Sequence, residues 1–444
     1  MDGVAIESGT EPAPVLRAAG PLSRRPAPPL KVGVLVDLTL TADAGGHVKC
    51  WQRIAEAAVD FADRLDLTVH FSGTAAERIE LSPSVRYVLL PPVFSTRRLV
   101  RRVPDHTDLG FWHRGLARAL GDYDVIHTTD AFFCYARTAT GFARRHGVPV
   151  VSSIHTNTPE YARITVDDLL GRVLGDGLAY RMASDTMALP ERVSRLLKRR
   201  LARHLDGVTL AMAGYGARPG ERLGPADCGV ALRRGLDRAL FTPEKRDRAW
   251  FETRFGLPPG RFVAMYAGKL NAGKNVQLLA PAIQAARRRG LPIHLLCAGA
   301  GELHDNLLQQ LAGAVTLPGV LAQDELARAY ASADLFLFPS VIDESGNAAV
   351  EAMASGLPAL LAAGSGVAAR MAPCGAVRVL PGDAPEAWAD AILALARRPG
   401  ECRRRGLVAR RYVAREVPSW DRVIEEDLLP VWQDAAAMRW RLNR

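Results

Sequence analysis

PSVIDESGNAAVEAMASGLP, residues 339–358, passes from loop to helix in a short space. The apolar run before it, DLFLF at 334–338, is short and bounded enough for a buried strand. Gly346 and Asn347 lead into good helix formers over 348–354. Gly356, just past that run, and Pro358 supply the stop. A strand that turns into a helix through glycine presents backbone N–H groups to an anion, and the helix dipole favours the charge. The amides of Gly346, Asn347 and Ala348 are therefore candidates to hold phosphate. Two carboxylates bracket the turn: Asp343 ahead of it and Glu351 about one turn into the helix. At that depth a carboxylate can accept hydrogen bonds from sugar or ribose hydroxyls. A plain β/α connection has the same spacing, so other parts of the chain must decide between them.

At 444 residues the chain exceeds one ordinary core, and two domains are expected. A hydrophobic fraction of 48% is that of a globular protein. The net charge of +10 points to acidic partners: nucleotide phosphates, an anionic lipid surface or nucleic acid. Six cysteines stand singly, without CxxC pairs or metal-ligand spacing, which suits a reducing compartment and argues against structural zinc. The opening MDGVAIESGT has no apolar stretch of leader type, and no uninterrupted apolar run reaches the ~18 residues of a membrane span. A cytoplasmic protein is expected.

Residues 1–29, rich in Ala and Pro, read as a disordered tail. KVGVLVD at 31–37 reads as a central parallel strand and leads through TADAGG into a helical stretch at 47–58. Gly45 and Gly46 remove the side-chain barrier to a phosphate or sugar at that turn. Further strands are expected at 67–71, 85–90, 124–128, 149–154 and 208–212, with helical stretches between several of them. Asp122-Tyr123-Asp124 spells a metal-binding DxD, but it precedes its strand, whereas ligands in open α/β sheets sit at strand carboxyl ends. His155, in PVVSSIHTNTPEYAR at 149–163, does follow a strand. Taken alone, such a histidine reads more readily as structural than as catalytic. The helix ERVSRLLKRRLARHL at 191–205 puts Val193, Leu196, Leu197, Leu201 and Leu205 on one face. That face either covers the sheet or, with its arginines, rests on a membrane surface.

Residues 214–229 are loop-like, and the α/β pattern then begins again. Strands are expected at 262–266, 292–297, 315–317, 334–338, 358–362 and 376–380. Two α/β halves facing each other make a cleft, the default place for a ligand. After the 262–266 strand, Lys269 and Lys274 stand five apart, spaced to contact the two phosphates of a diphosphate, unless both are simply solvated.

These motifs together resemble the retaining GT-B glycosyltransferases of family 4. Glu351-Ala-Met-Ala-Ser-Gly-Leu-Pro358, seven residues after an acid, is close to that family's signature. Asp343 keeps the seven-residue interval where the family usually has Glu, and Glu344 is adjacent, so either can be the first acid. VALRRGLDRALF at 230–241, followed by Pro243, is similar to the segment that opens the family's second domain. The resemblance, over roughly residues 31–440, implies several roles. Asp343 or Glu344 and Glu351 would face donor sugar and ribose, and His155 would lie beside the donor sugar. Gly45-Gly46 would be the N-domain glycine loop, and Gly299-Ala300-Gly301 a turn beside the nucleotide. Lys269 stands where the family usually has Arg, which supplies charge without a bidentate fork. His127, in Asp-Val-Ile-His, would be supporting.

The expectation is a GT-B fold: α/β, with two Rossmann-like β/α/β domains facing across a cleft. The N-terminal acceptor domain would span 30–213, a linker 214–229, the nucleotide-sugar domain 230–416, and a C-terminal helix at 417–444 would return to the N-domain. The activity implied is a retaining hexosyl transfer from a nucleotide-diphosphate sugar to an unidentified lipid, glycan or small metabolite. No metal or other cofactor would be required. Alternatives are a GT-B sugar-nucleotide epimerase or phosphorylase, or a non-catalytic nucleotide-sugar-binding protein. No nucleic-acid partner is expected, since interleaved aromatics and a recognised module are lacking. A cytoplasmic location, with peripheral contact at the inner face of the membrane as the variant, completes the reading.

Overall fold

The run LKVGVLVDLT forms the strand β1, Leu30–Thr39, buried from Val32 to Asp37 as a strand covered on both faces must be. The computed structural model describes residues 28–41, 44–95, 107–154, 158–175, 177–213, 226–341, 343 and 346–442. Seven more strands join β1 in one sheet: β2 (Leu65–Ser72), β3 (Glu77–Ser82), β4 (Val85–Leu90), β5 (Val125–Thr128), β6 (Val150–Ser153), β7 (Leu210–Ala213) and β8 (Asp227–Ala231). A second sheet contains β9 (Phe262–Ala267), β10 (Ile293–Ala298), β11 (Val315–Gly319), β12 (Leu335–Phe338), β13 (Ala359–Ala362) and β14 (Arg378–Leu380).

The first sheet runs β3-β4-β2-β1-β5-β6-β7-β8 and the second β11-β10-β9-β12-β13-β14. Every neighbouring pair is parallel except β3 with β4. Each sheet reverses direction of growth beside its first strand, between β1 and β5 and between β9 and β12. In doubly wound sheets the crevice at the carboxyl ends of those two strands is where ligands bind. The loops leaving β1, β9 and β12 are the ones that carry Gly45-Gly46, the two lysines and the acids. Apolar residues pack on both faces of each sheet, so four clusters of core make up the two halves.

Three elements differ from the sequence expectation. The hairpin strand β3 (ERIELS) was not expected; its side chains are largely exposed, so it lacks the apolar run that marks the other strands. The linker expected at 214–229 is shortened, because β8 pairs with β7 and the first sheet continues to Ala231. The chain then crosses at 232–242. In the helix Leu189–Leu205, Leu196 is 60% exposed rather than facing the sheet. That helix is anchored by its last turn, where Leu205 is buried and the Nε2 of buried His204 bonds Ser152 Oγ at 3.0 Å. The expected tail, apart from residues 28 and 29, lies outside the described residues.

After Pro418 the chain returns to the first half. Val423, Ile424, Leu428, Leu429 and Trp432 join the core formed by β1, β2 and the helix Gly46–Ala58. Trp432 Nε1 donates to His127 Nδ1 at 2.9 Å, and His127 Nε2 meets Ser153 Oγ at 2.7 Å. His127 is thus a buried clasp for the returning helix Leu429–Leu442. Asp124 and Tyr123 occupy the edge of the sheet opposite the cleft. There Asp124 Oδ2 accepts from Lys31 N at 2.9 Å and Tyr123 OH meets His70 Nε2 at 2.8 Å.

Candidate active site

The acid loop is built around Gly346. Its φ of +57° is left-handed, and a Cβ there would lie 2.4 Å from Val367 Cβ, so only glycine fits the mouth of the helix Asn347–Ala354. Asp343 Oδ1 accepts from Gly346 N at 2.9 Å, so the expected phosphate-binding amide is engaged by the acid. The next amides, of Asn347 and Ala348, open the helix, where N–H groups have no partner one turn back.

The lysine loop follows β9. Asn271 Oδ1 accepts from Lys274 N at 3.0 Å, and Tyr266 OH donates to Lys269 O at 2.8 Å, which fixes both lysine backbones. Lys274 Nζ lies 2.5 Å from Asp343 Oδ2. The two residues assigned to phosphate and to sugar are therefore ion-paired to each other. Burial pushes the Asp343 carboxyl up, but the Lys274 ammonium, the bonds from Lys274 and Gly346, and Arg234 bring it below the ordinary aspartate value. Asn275, with φ of +54°, clamps the loops together: its Nδ2 donates to Pro339 O at 3.1 Å and to Gly382 O at 2.7 Å.

Gly299 and Gly301 have a specific structural reason. A Cβ on Gly299 would fall 1.9 Å from Gly268 O, and one on Gly301 would fall 2.3 Å from Leu270 O. The close approach is to the backbone on either side of Lys269, so these glycines support the lysine loop.

Glu351 is partly buried on the helix Asn347–Ala354. Desolvation pushes its carboxyl up to about 7, against the pull of Lys49, Arg234, Arg53 and the Tyr330 hydroxyl. Lys49 and Arg53 come from the other half of the molecule, on the helix Gly46–Ala58. That helix begins at the glycine loop, where Gly45 is the N-cap. A Cβ on Gly46 would come within 3.3 Å of Asn347 Nδ2, so the two helix mouths face each other. Arg53 Nη2 also bonds Gln323 Oε1, on the helix Gln323–Ser332 of the second half. Burial, with Arg234 adding to it, lowers the His47 imidazole to about 3, and its Nε2 lies 3.0 Å from Thr129 Oγ1.

The structure thus brings together Gly45, Gly46, Lys269, Lys274, Asp343, Gly346, Asn347, Ala348 and Glu351, with Gly299 and Gly301 as support. Glu344 and His155 lie outside the described residues; β6 ends at Ser153, at the carboxyl edge of the first sheet. Sequence reasoning missed Lys49, Arg53, Asn275 and Arg234. Asn275, adjacent to Lys274, and Arg234, within VALRRGLDRALF, stood inside recognised motifs without being assigned a role. Lys49, Arg53 and Arg234 converge on Glu351 through long-range folding, which spacing does not reveal. Among the described residues, no group of three or more His, Cys, Asp or Glu side chains is arranged to hold a metal ion.

Comparison with known proteins agrees with the fold. Residues 261–398 match the family model described as Glycosyl transferases group 1. A D-inositol 3-phosphate glycosyltransferase of Catenulispora acidiphila is 28% identical, with 84% of this chain and 89% of the relative covered. Its namesake in Salinispora tropica is 27% identical, covering 98% and 89%. Among solved structures, sucrose-phosphate synthase from Thermosynechococcus elongatus superposes with a TM-score of 0.62 at 18% identity, over 94% of this chain and 98% of that one. Anabaena HepE in complex with UDP and glucose gives 0.63 at 15% identity, over 92% and 100%. The chain is a glycosyltransferase of the GT-B fold, with a match to the glycosyl transferases group 1 over residues 261–398 of its second half.

Proposed function

We propose that the protein transfers a hexosyl group, with retention of configuration, from a nucleoside-diphosphate sugar to a hydroxyl of a phosphorylated polyol. The observation that carries this reading is the Lys274–Asp343 ion pair at the mouth of the helix Asn347–Ala354, which carries Glu351, on the switch point of the second sheet. The phosphorylated polyol is suggested by relatives that bear the name D-inositol 3-phosphate glycosyltransferase.

In this reading the C1–O bond to the diphosphate breaks and a C1–O bond to the acceptor forms on the same face. The acceptor proton passes to the departing phosphate oxygen. Positive charge grows on the sugar ring and negative charge on the diphosphate, and fixed charges stabilise both. Lys269, Lys274 and the amides of Asn347 and Ala348 would meet the diphosphate, so that the reaction proceeds without a metal. Lys274 would turn from Asp343 to phosphate as the donor arrives, leaving Asp343 to accept from a sugar hydroxyl. Glu351 would hold the ribose, and His155 would contact the donor sugar across the cleft.

Peripheral contact with an anionic membrane is part of the proposal. Leu169 on the helix Thr158–Leu174, Leu178, Met182 and Met187 after it, and Leu196 on the helix Leu189–Leu205 are each at least 48% exposed, and the last helix also carries Arg192, Arg195, Lys198 and Arg199. An apolar and cationic surface of that kind suits a charged lipid interface.

The test is a mass-spectrometric screen of nucleoside-diphosphate sugars with and without inositol phosphate. Transfer from one donor, undiminished by chelator, supports the reading. Turnover that requires added metal, or products formed only without acceptor, would contradict it.

A further inference from the structure

Arg233 and Arg234 lie just after β8, on the crossing between the two halves, and their side chains take different partners. Arg233 turns to the returning helix: its Nη2 is 2.7 Å from Asp427 Oδ1 and 2.6 Å from Glu426 Oε2. Arg234 turns into the cleft and is only 6% exposed. The crossing is fixed in place by the following residue, because a Cβ on Gly235 would fall 2.4 Å from the Trp420 ring.

Inside the cleft, Arg234 Nη1 donates to Gly46 O at 3.2 Å, while its buried Nε has no hydrogen-bond acceptor. Asp343, Glu351, His47 and Cys50 all feel its charge. The neighbouring charges do not balance it. Lys274 pairs with Asp343, and Arg53 pairs with Glu56 at 2.6 Å, which leaves Lys49 and Arg234 opposite Glu351. A buried guanidinium with an open donor is costly unless an anion completes it, and its fork geometry matches phosphate.

We infer that Arg234 is a third cationic ligand of the donor diphosphate, approaching from the glycine-loop side while Lys269 and Lys274 approach from the other. The inference rests on the donor reading above and adds a residue that it did not assign. Because Arg234 stands on the crossing and touches the Gly46 loop, diphosphate binding would also draw that loop and the acid loop together.

The test uses the full chain. UDP, GDP and ADP, and the corresponding nucleosides, are titrated against the wild type, Arg234→Met and Arg234→Lys, and the ligand-free melting temperature of each is recorded. The expected result is a loss of about tenfold or more in diphosphate affinity for Arg234→Met, with nucleoside binding unchanged. Arg234→Lys should recover part of the affinity, and the ligand-free melting temperature of Arg234→Met should not fall. Diphosphate affinity equal to wild type overturns the inference. So does an equal loss for nucleoside and diphosphate, or a lowered melting temperature in the ligand-free Arg234→Met protein, because each marks a structural role. A wild type that binds none of the three diphosphates removes the donor reading itself, an outcome distinct from wild-type binding that the variants leave unaltered.

Discussion

In the proposed reading, Glu351 and the Lys274–Asp343 pair carry the chemistry at the scale of single residues, and their charges are set oppositely by their surroundings. Asp343 is held ionised by Lys274, whereas Glu351 is pushed up to about 7 by desolvation. Between the ordinary glutamate value and about 7, the native state therefore binds a proton that the unfolded chain does not. The stabilising contribution of this group falls as pH rises through that window. Ionised Glu351 is the better acceptor for ribose hydroxyls, so affinity for the nucleotide-sugar should rise as pH passes about 7. Glu351→Gln should flatten that profile; an unchanged inflection in the variant would assign it to another group. Lys274→Ala should lower diphosphate affinity about tenfold or more, since a partly buried phosphate contact is charge-assisted. Unaltered binding and turnover in Lys274→Ala would count against the site. Asp343→Asn should impair turnover more than Glu344→Gln, and the reverse order would give Glu344 the role of first acid. The signature residues stood out through their resemblance to the family motif rather than through spacing alone. Lys49, Arg53 and Arg234 did not, because their nearness to Glu351 depends on how two sheets meet.

At the scale of elements, the strand-to-helix turns at β1, β9 and β12 were readable because glycine and apolar runs mark them directly. Elements without such marks were missed. The exposed hairpin strand β3 has no apolar run, and β8 follows a glycine-rich stretch that looks like a linker from composition. The amphipathic pattern of Leu189–Leu205 misplaced Leu196, since a heptad-like stripe does not say which of two neighbours it meets. What anchors that helix is the polar contact of His204. The returning helix depends on a similar bond. Trp432→Phe keeps most of the packing but leaves buried His127 Nδ1 without its donor, which should cost about 1–3 kcal/mol. Denaturant titration checks this, and a stability equal to wild type would mean that the clasp is unimportant.

For the whole molecule, two Rossmann-like sheets that each reverse growth beside their first strand set their ligand-binding edges toward one cleft, and cations from both halves surround it. Net charge alone suggested acidic partners; the fold shows where part of that charge collects. The exposed apolar and basic surface near Leu178 and Leu196 belongs to the same scale. Sedimentation with anionic vesicles at low salt should recover the protein, and salt should release it. Failure to bind such vesicles would leave that helix a solvated face. Among the described residues no helix is long and apolar enough to cross a membrane. The central claim, glycosyl transfer with retention at this cleft, is tested most directly by proton NMR of one reaction with donor and acceptor present. The expected result is loss of the nucleotide-sugar matched by a new glycoside with the same anomeric configuration. A glycoside of inverted configuration, or a donor panel that the protein leaves intact with inositol phosphate present, would contradict it.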